Sequence, residues 1–176
     1  MRFGGSAAVA GNFMRKAFAA AIGMAVAIPL LHALPVQSKP KGKVVAAGTL
    51  NIAGRRMSCG RTPTLISETF WDYGGAKKGM IILNPTKMNG LSDAVRLYVY
   101  AHECGHQVYG PREMRADCYA VERGKREGWL KEEGMEEVCT FITPHPGDWI
   151  HPPGPKRCEI MRACYDKAKG PSAKRR

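Results

Sequence analysis

The sequence predicts an α+β domain: a small β-sheet, then a buried helix, then a C-terminal helical part. Three observations lead there. Between Val44 and Leu83 the apolar residues fall in short runs separated by Gly, Pro and Asn, the pattern of short strands. From Ala94 to Val108 most residues are apolar, aromatic or histidine, with no proline before Pro111, as in a buried helix. Beyond Pro111 helical patterning resumes, interrupted by a stretch (residues 143–155) with five prolines in thirteen residues.

The first 38 residues read as a secretory signal peptide or an N-terminal membrane anchor. Residues 1–16 carry Arg2, Arg15 and Lys16 and no acid, and residues 17–34 are apolar apart from His32. Basic, then apolar, then small residues with Pro is the signal-peptide order, with cleavage expected after Ala33 or near Ser38. The 18 residues 17–34 are just enough to span a bilayer, though Gly23, Pro29 and the many alanines make a weak span. Either way the rest of the chain is exported, to a periplasm or beyond.

Residues 39–168 are expected to form one domain, after a flexible leader at 37–43; the chain's 44% hydrophobic content is ordinary for a protein that buries a core. Residues 44–50 and 55–59 read as strands joined by a hairpin turn at 51–54, and residues 80–83 as a third strand stopped by Asn84 and Pro85. Ser92 suits an N-cap, with Asp93 at the positive helix end. Gly110 suits a left-handed helix end, and Pro111 the first position of a second helix, 111–127. Further helices are expected at 132–142 and 155–168, the latter followed by a basic disordered tail, 169–176.

The net charge is +12, and no Asp or Glu precedes Glu68. A basic chain can bind nucleic acid or anionic surfaces, but no nucleic-acid motif is present and no aromatic residues interleave with a basic stripe. A cationic exported protein with a solvated surface is the reading. Six cysteines in an exported chain imply up to three disulfides. Cys104 with Cys118, or a pair among Cys139, Cys158 and Cys164, are the candidate bridges, and Cys59 needs a partner.

The chemistry is concentrated in residues 102–106, His-Glu-Cys-Gly-His. Histidines four apart share a helix face and can reach one metal ion. Glu103, about 100° round, lies beside that ion, where a base acting on a metal-bound water belongs. Cys104 is about 200° from His102 and faces elsewhere. A catalytic metal takes three protein ligands and keeps one position for water. The next acid is Glu113, brought back beside His106 by the turn at Gly110 and Pro111. Asp117, four residues on, shares its face and is placed to accept the non-ligating N–H of a histidine ligand. Gly105 gives clearance for the returning helix. Trp149 is expected to pack, and His145 and His151 to lie on a loop surface.

His-Glu-x-x-His followed on the next helix by Glu-x-x-x-Asp resembles the gluzincin metallopeptidases, such as the thermolysin-like enzymes and the prenyl-protease-like membrane peptidases. Together with Ala116, Asp117 and Cys118 it also resembles small bacterial neutral zinc metallopeptidases. The resemblance spans residues 92–121, and the gap from His106 to Glu113 is shorter than in the larger gluzincins. It implies a zincin-like fold and one zinc ion held by His102, His106 and Glu113, with Asp117, His145 and His151 as the reserve ligands. It also implies Glu103 as the base, Asp117 behind a histidine ligand, and a peptide or protein substrate lying along an edge strand, for which Met80–Leu83 is the candidate. Tyr109, Tyr119, His145 and His151 are candidates to steady the oxyanion. Two other readings stay open: a non-catalytic secreted metal-binding or envelope interaction protein, and a zinc amidase acting on cell-wall material.

Overall fold

A computed structural model describes residues 41–171. The signal or anchor reading of residues 1–38 and most of the basic tail lie outside them. No helix among the described residues is long and apolar enough to cross a membrane. The fold is α+β: six short strands precede five helices.

The strands are β1 (Lys43–Val45), β2 (Leu50–Ile52), β3 (Arg55–Met57), β4 (Thr64–Ile66), β5 (Gly74–Lys77) and β6 (Met80–Leu83). β2 and β3 form the expected hairpin, and its turn residues Ala53 (φ 51°) and Gly54 (φ 72°) both take positive φ. That double-positive turn matches the twist of the flanking strands. The expected first strand, 44–50, is instead divided by a turn in which the Thr49 N–H donates to the Ala46 carbonyl (3.2 Å) and Gly48 takes φ 73°. A second sheet runs β1-β4-β6-β5, with β4 and β6 parallel and the outer pairs antiparallel.

This order corrects one expectation. Met80–Leu83 is an interior strand, and Ile81, Ile82 and Leu83 are buried. The edge strand beside α2 (Asp93–Tyr109) is β5, Gly-Gly-Ala-Lys, whose composition opposes strand propensity. Tertiary contact overrides propensity here. A Cβ on Gly74 would stand 2.9 Å from Val99 Cγ1 and 3.0 Å from Glu103 Cγ, so a side chain there would hold the strand off the long helix.

The helices are α1 (Pro85–Met88), α2 (Asp93–Tyr109), α3 (Glu113–Glu127), α4 (Glu132–Ile142) and α5 (Gly154–Lys167). α1 is short and capped by Asn84, whose side chain accepts from the Lys87 N–H (3.1 Å). α2 starts after Ser92, whose hydroxyl accepts from the Val95 N–H (3.4 Å). It is the centre of the core, with Leu97 through Gly105 all buried, and it packs on β5 and β6 and against α3 and α4. The corner after α2 is wider than expected. Gly110 has φ 64° and ψ −145°, outside the left-handed helical well, and α3 begins at Glu113 rather than at Pro111.

Gly105 is clearance, as its position implied: a Cβ there would meet Ala116 Cα at 2.7 Å, so the α2–α3 contact is backbone against backbone. Three disulfides close the fold, Cys59–Cys104, Cys118–Cys164 and Cys139–Cys158. The last is the pair expected among the late cysteines. The Cys104–Cys118 bridge is not formed, because Cys104 points from α2 towards the segment after β3 while Cys118 points from α3 towards α5. In the chain-entropy picture the two loops of 45 and 46 residues are worth about 4 kcal/mol each and the 19-residue loop about 3 kcal/mol. Three bridges and no free cysteine among the described residues fit an oxidising, exported environment.

Candidate metal centre

His102 and His106 project from one face of α2, and Glu113 opens α3 directly across from them. One donor atom from each of the three lies within 4.8 Å of the others. The two Nε2 atoms face each other at 3.0 Å. Glu113 Oε2 is 3.3 Å from His102 Nε2, and Oε1 is 3.4 Å from His106 Nε2. His102 and Glu113 are each only 7% exposed.

The tautomers prepare this site. A carbonyl can only accept, so His106 Nδ1 donates to the Gly110 carbonyl (2.7 Å), and its Nε2 lone pair is left facing the cluster. The loop that ends α2 thus sets the ring of its second histidine. His102 Nδ1 lies 2.8 Å from Asp117 Oδ1, close but not aligned as a straight hydrogen bond. Asp117 is fully buried and is itself fixed on three sides. Tyr98 donates to Oδ1 (2.6 Å), Arg157 Nη2 donates to Oδ1 (2.8 Å), and Arg157 Nε donates to Oδ2 (2.8 Å).

These contacts set the charges of the cluster's own side chains. Burial alone would lower the pKa of His102, but Asp117 and Glu113 outweigh it and raise it to about 10. His106 is raised too: burial lowers it, and Glu113 with the Gly110 carbonyl overcomes that. Burial would push Glu113 and Asp117 up, yet the two histidines hold Glu113, and Arg157 with His102 holds Asp117, well below the ordinary carboxylate range. Glu103 differs. Burial raises it, with His102 and His106 offsetting part of the effect and Glu113 and Asp72 adding to it.

The donor set could hold a metal ion. Two imidazoles and one carboxylate converge, each imidazole has an acceptor behind it, and Glu113 Oε2 is buried with no hydrogen-bond partner. Glu103 stands beside the cluster rather than in it, its side chain laid along Gly74 at the β5 edge.

A cleft runs over this centre. One lobe, about 420 Å³, is lined by Tyr73, Val99, Phe141 and Ile142 among others. The second, about 650 Å³, follows β5 past His106 to Gly110 and Pro111. His151, from the proline-rich loop, borders both lobes, and its Nε2 lies 3.5 Å from Glu113 Oε2. Its Nδ1 donates to Asp148 Oδ2 (3.0 Å), so Nε2 is a donor only when the ring is protonated. His145 stands on the cleft wall against Phe141, outside the cluster. Tyr119 points its hydroxyl at Cys104 Sγ (3.6 Å), with Tyr109 stacked edge-on to it, so neither tyrosine joins the site. Trp149, expected to pack, is fully exposed, because the turn closed by the Asp148 N–H on the His151 carbonyl (2.8 Å) carries it outward.

Two residues of the centre escaped sequence reading. Tyr98 precedes His102 by one helical turn and shares its face, a spacing that could have revealed it. Arg157 lies 40 residues from Asp117 among other cations, and nothing local marks it as buried. No protein-family model, curated protein or solved structure matches the chain.

Proposed function

We propose that the protein is an exported zinc-dependent metallopeptidase, with His102, His106 and Glu113 as the ligands of one zinc ion. The observation that carries this reading is the convergence of the three donors with Glu103 beside them and Asp117 behind His102. When bound, the zinc supplies a Lewis acid that lowers the pKa of water towards about 7 and polarises a carbonyl.

The chain's own residues do the rest. Asp117, clamped by Tyr98 and Arg157, holds the His102 ring so that Nε2 faces the centre. Glu103 takes a proton from the attacking water and passes it to the departing amine. Burial, which raises its pKa, keeps this carboxylate closer to the range where it both accepts and returns a proton. Gly74 leaves the space in which the Glu103 side chain lies. His151, whose Nε2 lies 3.5 Å from Glu113 Oε2, is the candidate that faces the oxyanion, Tyr109 and Tyr119 being turned elsewhere and His145 standing on the cleft wall outside the cluster. The substrate lies extended along β5, which has a neighbour on one side only and accepts an added strand on the other.

The test is the Glu103→Gln variant. Zinc content should match the wild type while peptide hydrolysis falls by several orders of magnitude. A variant that hydrolyses peptides at the wild-type rate would rule out the base.

A further inference from the structure

The two ends of the cleft differ in charge, and the lining residues say which end is which. Glu103 lies along Gly74, at the start of β5, and Asp72 and Asp148 border the cleft at that end. At the other end β5 turns through Lys77, Lys78 and Gly79, beside Gln107 and Gly110. Gln107 fixes this turn. Its Nε2 donates to the Lys77 carbonyl (2.8 Å), and its Oε1 accepts from the Gly79 N–H (2.9 Å). Backbone pairing along β5 therefore stops at Lys77, and what the chain offers beyond is two ammonium groups. Both lysines are exposed, and among the described residues neither is in an ion pair.

The direction of a bound peptide follows from the base. Glu103 delivers its proton to the departing amine, so the amine half lies at the Glu103–Gly74 end. The acyl half, N-terminal to the scissile bond, then runs towards Lys77. Strand geometry of about 3.4 Å per residue puts Lys77 about three residues upstream of the bond cut. There a directly opposed acidic side chain gains a favourable cross-strand pair, and a basic one is repelled.

We propose that Lys77 and Lys78 are specificity-determining residues that select peptides carrying Asp or Glu about three residues before the scissile bond. This rests on the peptidase reading above. One surface ion pair plus relief of like-charge repulsion corresponds to a preference of about fivefold for an acidic over a basic residue.

The test is cleavage of a proteome-derived peptide library by the zinc-loaded wild type and by a Lys77→Glu/Lys78→Glu variant, with the new product ends sequenced. The expected result is about fivefold enrichment of Asp and Glu over Lys and Arg two to four residues upstream, inverted by the variant. Binding of a matched acidic and basic peptide pair to the Glu103→Gln chain, read by fluorescence anisotropy, should show the same order without turnover. Products with no upstream charge bias, unchanged by the reversal, would overturn the selection and leave the peptidase reading standing. A zinc-loaded wild type that yields no products, with neither peptide bound by Glu103→Gln, would overturn both.

Discussion

Replacing Asp117 separates what holds the fold from what holds the metal. Asp117 accepts from Tyr98 and twice from Arg157, and it contacts His102 Nδ1 at 2.8 Å. Asp117→Leu strands the guanidinium of Arg157, a residue only 7% exposed, without its counter-charge. Breaking a buried pair on one side costs about 3–5 kcal/mol. For a domain of this size that is roughly 10–20 °C in Tm. Adding Arg157→Met removes the stranded charge, and replacing both partners with apolar groups is close to neutral, so the double variant should regain most of the loss. Zinc affinity should behave differently. The acceptor behind His102 is gone in both variants, so each should bind zinc about 10- to 100-fold more weakly. The assays are thermal unfolding of the metal-free chain with disulfides intact and zinc titration against a competing chelator. A double variant that regains zinc affinity along with stability would refute Asp117 as the residue that holds His102.

The metal-free centre also predicts a pH dependence. With His102 raised to about 10 and His106 raised as well, a bound metal displaces at least one proton between pH 6 and 9, so zinc affinity should rise at least tenfold per pH unit there, measured by calorimetry in buffers of different ionisation heat. The sign for stability is opposite. A raised folded pKa adds stability that is complete below about 6.5 and is lost as pH rises towards about 10, so the Tm of the chelator-treated protein should fall on that limb. Gly105→Ala gains about 1 kcal/mol in helix propensity, but its Cβ would stand 2.7 Å from Ala116 Cα. The overpacking costs about 1–3 kcal/mol, so chemical denaturation should show a net loss of stability. Gly74→Ala places a methyl 3.2 Å from Glu103 Oε1, and hydrolysis should fall by about 10²-fold with zinc content unchanged.

The grouping of His102, His106 and Glu113 was legible in the sequence because its parts are local. Helical spacing alone puts His102 and His106 on one face, and a breaker at Gly110 and Pro111 makes the next acid a neighbour. Gly105 was readable for the same reason, since a helix-weakening residue inside a buried helix calls for a packing cause. What was not legible depends on contacts distant in the chain. β5 is a strand only because α2 presses a side-chain-free backbone into place, so no strand was expected at Gly74–Lys77, and Met80–Leu83 was assigned the edge that β5 occupies. Cys104 was read as facing away from the two histidines and lies outside their group, but its partner is 45 residues earlier, beyond any spacing rule. Arg157 reaches Asp117 because α5 is tied to α3 and α4 by Cys118–Cys164 and Cys139–Cys158, whose full connectivity the sequence left open.

The central claim is that His102, His106 and Glu113 hold one zinc ion, and its most direct test is metal content at a fixed free-zinc concentration. Wild type should carry about one zinc per chain, and His106→Ala and Glu113→Ala should each lose it while remaining folded through their three disulfides. A Glu113→Ala protein that keeps stoichiometric zinc would contradict the ligand set, and with it the geometry on which the proposed chemistry stands.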